Sequence, residues 1–131
     1  MVATSVGVNM PSLRGAILFL EFHRAGLGTV DRYLTQLLES GALEGVVGVV
    51  LGSFERARGT GDRGWSMIDV LHDRLGRLNV PILGGIPAGH NVLTSSLSDA
   101  PDGFDQVCLP LGSMATIDAD EGTLWAEAIV E

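Results

Sequence analysis

Apolar residues along this chain fall alternately into short continuous runs and helical stripes. Residues 16–20 (Ala16-Ile17-Leu18-Phe19-Leu20) form an unbroken run that follows Pro11 and Gly15 and stops at Glu21. A run this short, with such flanks, predicts a strand buried on both faces. A polar, glycine-containing turn over residues 23–28 follows. Thr29 is placed to cap a helix whose Val30, Tyr33, Leu34, Leu37 and Leu38 share one face, with Gly41 as its stop signal. Residues 46–51 are rich in β-branched side chains and predict a second buried strand. Beyond a polar loop, residues 65–77 predict a second helix with Ile68, Leu71 and Leu75, and Leu78 just past it, on one side. Residues 80–83 predict a third strand, which runs into the glycine-rich stretch from Gly84 to Gly89 and then His90. Strand, helix, strand, helix, strand in this order predicts an α/β fold with a mainly parallel sheet and two main helices.

The last third departs from that rhythm. Residues 91–106 are a long Ser/Asp-rich connection, and residues 107–111 are strand-like, which predicts a buried, apolar role for Cys108. Residues 114–117 and 123–129 flank the acidic turn around Asp118, Asp120 and Glu121 and predict an antiparallel hairpin. The first fifteen residues have no clear period and no cap. They read as a lead-in (1–15) from a preceding domain, with the domain itself spanning 16–131.

Composition narrows the function classes. Of 131 residues, 46% are apolar and only 18% charged, which favours a packed core over disorder. The net charge of −8, with no lysine and no basic run, argues against a nucleic-acid partner. A single cysteine excludes an internal disulfide and a cysteine-based zinc site, and it fits a reducing compartment. Neither a signal-peptide pattern nor an apolar run near the ~20 residues of a membrane span is present, so a cytoplasmic location without membrane contact is expected.

Two residues carry candidate chemistry. Glu21 closes the first strand-like run, and His90 lies in the turn after the third. Ligands of open α/β sheets bind in the crevice beyond the strand C-termini. A carboxylate there can accept the Nδ1–H of an imidazole and leave the other ring nitrogen as a general base. From spacing alone, a glutamate ending a strand is more often an ion-pair partner or cap, and a loop histidine is more often incidental. His23 could also share the side of Glu21 and take the place of His90. Phe22 is a candidate substrate-facing aromatic, with core packing as the alternative. Arg56, Arg58 and Arg63 could bind a substrate carboxylate in bidentate fashion, or form a solvated loop. His72 reads as a surface residue. Ser95, Ser96 and Ser98 fall in the long connection, and no Gly-x-Ser-x-Gly elbow occurs. The Gly84 to Gly89 stretch lacks the Lys-Ser/Thr ending of a phosphate loop. Asp99, Asp102, Asp105 and the 118–121 turn fall short of an EF-hand pattern. No metal and no cofactor are expected.

The order of several motifs adds to this reading. Gly15 to Glu21, Asp31-Arg32-Tyr33-Leu34-Thr35-Gln36-Leu37, Gly41-Ala42-Leu43 and Gly48-Val49-Val50-Leu51-Gly52-Ser53-Phe54 resemble the C-terminal half of the LD-carboxypeptidase family, which includes the microcin C immunity hydrolases. Pro81-Ile82, Gly89-His90, Leu109-Pro110-Leu111-Gly112 and Asp118 with Gly122-Thr123-Leu124 complete the pattern over residues 10–131. The resemblance implies a swivelling β/β/α-type domain and a Ser-Glu-His peptidase triad in which Glu21 orients and His90 is the base. It assigns Ser53 no nucleophilic role. Two features depart from the family pattern: Phe22 stands where members carry an acidic residue, and the link from His90 to Leu109 is longer.

The resemblance further implies that the nucleophilic serine belongs to an N-terminal domain, that this chain alone is inactive, and that homodimers form. The implied reaction is cleavage of an amide before a C-terminal residue, as in the L,D-bond of a murein tetrapeptide during peptidoglycan recycling. The rival readings are a microcin C-type peptidyl-nucleotide hydrolase, a stand-alone binding or assembly domain and, last, a phosphocarrier using His90.

Overall fold

The computed structural model describes residues 2–56, 64–90 and 107–128, with Glu55 and Arg56 described in backbone only. In chain order the elements are β1 (Ile17–Ala25), α1 (Leu27–Glu39), β2 (Gly48–Arg56), α2 (Met67–Leu75), β3 (Ile82–Leu83), β4 (Ala115–Asp118) and β5 (Thr123–Ala126). Short 3-10 turns occur at Val2–Ser5 and Gly76–Leu78.

The first three strands form a parallel sheet in the order β1-β2-β3. Alternation along each strand sends Leu18, Leu20 and Val49 to one face. They form a buried cluster there with Val30, Leu34 and Leu37 of α1 and Val70, Leu71 and Leu75 of α2. Val30, Leu34 and Leu75 retain no exposed surface, and burial of each such side chain contributes roughly 1.5–3 kcal/mol. Ile17, Phe19 and Val50 face the other way, toward the antiparallel β4–β5 hairpin, whose register runs from Ala115↔Ala126 to Asp118↔Thr123. Gly48 sits under this layer, where an added Cβ would stand 3.0 Å from Ile117 Cγ2. The order of layers is therefore helices, parallel sheet, hairpin. This is the α/β architecture with a small antiparallel C-terminal portion that the sequence predicts.

Several local expectations are corrected. β1 runs through Glu21 to Ala25, so Glu21 is interior to the strand and the turn expected at 23–28 shrinks to Gly26. The strand persists because it stays paired with β2 at Phe22↔Phe54 and Ala25↔Arg56 even where its side chains are polar. With no spacer left, α1 starts at Leu27 on an extended Gly26 N-cap, and the Thr29 amide bonds to the Gly26 carbonyl at 2.9 Å rather than Thr29 capping the helix. α2 starts at Met67 behind a Ser66–Asp69 capping box, which leaves Trp65 outside it. Met67 and Val70 pack toward the core, whereas Ile68 is 76% exposed. Residues 107–111 form no strand, and Cys108 is exposed rather than buried. Pro110, without an N–H, cannot donate to a sheet ladder.

Among the described residues, several between Val2 and Leu13 pack on the core of the domain. The Val2–Ser5 turn buries Ala3, and Val2, Val6, Met10 and Leu13 lean on the same core. Arg74 ties the two helices together through Asp31 at 2.6 Å. Among the described residues, no helix is long and apolar enough to cross a membrane.

Candidate active site

The site begins with an irregularity in the sheet. Pairing is regular from Ile17↔Gly48 to Leu20↔Leu51, then resumes at Phe22↔Phe54. Glu21 alone therefore stands opposite two residues, Gly52 and Ser53, and β2 bulges by one residue at this point. Because β3 is only two residues long, the chain after Leu83 is free to cross the C-terminal halves of β2 and β1. The Ile86 amide bonds to the Leu51 carbonyl at 3.2 Å, and the Ser53 amide to the Ala88 carbonyl at 2.9 Å. Gly52 permits this crossing, since any Cβ there would strike the Ala88 carbonyl oxygen and the Phe19 ring.

This path delivers His90 to Glu21. The Glu21 carboxylate accepts the His90 backbone N–H at Oε2 (3.1 Å), and its two oxygens lie 3.0 and 3.1 Å from His90 Nδ1. An ionised carboxylate only accepts, so the bond places the imidazole proton on Nδ1 and leaves the lone pair on Nε2. Gly89, at φ +111°, makes the approach possible: a Cβ there would lie 2.7 Å from Ser53 Oγ and 2.8 Å from Glu21 Oε2. The Glu21 side chain is 24% exposed and that of His90 63%. The pair opens onto a cleft of about 440 Å³ whose walls are largely apolar, from Phe19, Phe22 and Tyr33 to residues 2–4.

His23 lies on the same face two residues along β1, its ring centroid 4.9 Å from that of His90. Phe22 packs between Tyr33 and Phe54, with centroid separations of 6.1 and 5.7 Å, and also borders the cleft. The Arg56 side chain, Arg58, Arg63, Ser95, Ser96, Ser98, Asp99, Asp102 and Asp105 lie outside the described residues. His72 is exposed on α2. Ser53 lies within β2, and its hydroxyl donates to the His90 carbonyl at 2.5 Å, a contact that reading residue by residue does not reveal. A hollow of about 500 Å³ between α1 and α2, beside Trp65, is lined by neither Glu21 nor His90, and its Arg74 is already matched by Asp31 and Asp73. Among the described residues, no three His, Cys, Asp or Glu side chains are grouped to hold a metal ion.

Residues 1–117 match the family described as the LD-carboxypeptidase C-terminal domain. The chain is 35% identical over 115 residues to a candidate carboxypeptidase of Synechocystis sp., covering 87% of this chain and 34% of that protein. It is 39% identical over 122 residues to a candidate carboxypeptidase of Streptomyces coelicolor, covering 87% and 32%. Its fold is similar to the crystal structure of muramoyltetrapeptide carboxypeptidase from Oxalobacter formigenes, with a TM-score of 0.61 and 35% identity over 70% of this chain and 33% of that one. The chain thus spans about one third of the length of the relatives it matches. A family match of that extent, joined by likeness in both sequence and fold, shows that this chain belongs to the LD-carboxypeptidase family as its C-terminal domain.

Proposed function

We propose that this domain supplies the acid–base half of a serine carboxypeptidase, with His90 as general base and Glu21 as its orienting carboxylate. The nucleophilic serine comes from an N-terminal domain that closes over the pair. One observation carries this reading: His90 Nδ1 is held by Glu21 while most of the ring stays exposed. A base fixed on one side and open on the other suits a site completed by a second surface.

In the proposed reaction, His90 Nε2 takes the serine proton as the serine oxygen attacks the amide carbonyl carbon. The imidazolium, steadied by Glu21, then gives that proton to the nitrogen of the departing C-terminal residue as the C–N bond breaks. Water, deprotonated by the freed His90 Nε2, attacks the acyl-serine ester. The shortened peptide leaves and the serine regains its proton. The proposed substrate is a murein tetrapeptide cut before its terminal D-alanine, in keeping with the muramoyltetrapeptide specificity in the name of the Oxalobacter formigenes protein. A cytoplasmic homodimer belongs to the same proposal.

The test is hydrolysis of an L,D-tetrapeptide by this chain with and without the N-terminal half of a relative. Activity is expected only from the combination, and it should vanish with His90→Ala or Glu21→Ala. Turnover by the isolated chain would overturn the divided-site reading. Turnover of a peptidyl nucleotide in preference to the tetrapeptide would transfer the proposal to the microcin C-type substrate.

A further inference from the structure

We propose that Ser53 is a positioning residue for His90, aimed at the site by the β2 bulge. The inference rests on the reading of Glu21 and His90 as an acid–base pair. Had the pairing stayed regular, Gly52 would face Glu21 and Ser53 would pair with Phe22, turning its side chain toward the helices. The extra residue instead gives the position beside Phe22 to Phe54, whose ring meets that of Phe22 at 5.7 Å. Ser53 is thereby turned to the face that carries Glu21 and the 84–90 turn.

On that face Ser53 grips the turn at both ends of Gly89. Its amide donates to the Ala88 carbonyl at 2.9 Å, and its hydroxyl donates to the His90 carbonyl at 2.5 Å. Glu21 accepts the His90 amide proton between them. The backbone of the base is thus held at the carbonyl before Gly89, at its own N–H and at its own C=O. Only the side-chain torsions remain, and Nδ1 contact with Glu21 restricts those. Gly89 has left-handed φ and no side chain of its own to brace the turn, so these bonds supply the bracing. The Ser53 hydroxyl has one proton, and it is committed to the His90 carbonyl, which suits a support rather than a nucleophile.

A bond that merely satisfied a carbonyl would affect stability but leave the imidazole unchanged. The decisive measurement is therefore nitrogen-15 NMR of the His90 ring in the whole chain. The unsubstituted chain should show an Nδ1–H tautomer with a carboxylate-bonded proton. Ser53→Ala should mix the tautomers and weaken the Nδ1–H signal, whereas Ser53→Thr, which keeps the hydroxyl, should restore both. Should Ser53→Ala fail to fold, Ser53→Cys, close in size but a weak donor, takes its place. Joined to the N-terminal half, Ser53→Ala should lower kcat about 10- to 100-fold with KM within about twofold, as a small displacement of a reacting group does. An unchanged tautomer and kcat in Ser53→Ala, with His90→Ala inactive, would overturn the Ser53 inference alone. Full activity of His90→Ala would overturn the acid–base reading instead, and the ring spectrum would still decide the role of Ser53.

Discussion

Glu21 holds His90 twice, by the backbone amide and by the ring, although 69 positions separate them in the chain. One carboxylate thus sets where the residue lies and which ring nitrogen keeps its proton. Glu21→Gln preserves the shape, but its amide can present N–H to Nδ1 and favour the opposite tautomer. In the assembled enzyme, kcat on an L,D-tetrapeptide should fall by about 10³- to 10⁴-fold, the scale seen when a triad orienter loses its charge. A loss below tenfold would count against the orienting role.

Gly89→Ala tests the same junction sterically. The new methyl would meet Ser53 Oγ and Glu21 Oε2 well inside contact distance, at a φ of +111° that L-residues rarely adopt. Strain of this kind costs roughly 1–3 kcal/mol. Thermal unfolding should show that loss, and the Nδ1–H signal of His90 should disappear with it.

Leu34 tests the core on which the site stands. It is fully buried between α1 and the sheet. Leu34→Ala should cost about 2–5 kcal/mol in urea unfolding, the range for deleting a buried leucine side chain. Val8→Ala, at a residue 85% exposed, should change stability by less than about 0.5 kcal/mol and serves as the contrast.

The start of α2 should respond to pH. The Ser66 hydroxyl first, and its backbone amide second, hold the Asp69 carboxyl below its ordinary range. A carboxyl depressed in the folded state adds stability above its unfolded pKa and loses it as pH falls through the folded value. Ser66→Ala, which removes the N-cap and the first partner of Asp69 together, should lower the thermal midpoint near neutrality. The gap between the two proteins in thermal midpoint should narrow as the pH drops below about 4. A gap that is constant from pH 7 to pH 2 would remove Asp69 from the account.

Much of the architecture is written in local patterns. The apolar runs at 16–20 and 46–51 must be buried, and the Val30, Leu34 and Leu37 stripe can face only one way, so the strand–helix alternation follows without tertiary information. The hairpin around residues 118–122 is legible for the same reason. Limits of elements are less so. Glu21, His23 and Arg24 look like the end of a strand, yet β1 continues because backbone pairing with β2 is indifferent to side-chain polarity. Ile68 fits a helical stripe by spacing, but the burial of Met67 and Val70 shows that the helix is rotated away from it.

The class of fold, the family resemblance and the choice of Glu21 and His90 as the residues to watch are readable along the chain, because residue types and short-range periodicity carry that information. Long-range packing brings the two side chains together, lets one carboxylate grip both amide and ring, and places Gly52, Ser53 and Gly89 where they make the meeting possible. Those relations depend on the bulge in β2, the two-residue length of β3 and the crossing of the 84–90 turn. Each arises from strands packing against one another over long separations, where hydrogen-bond register rather than neighbouring sequence sets the geometry.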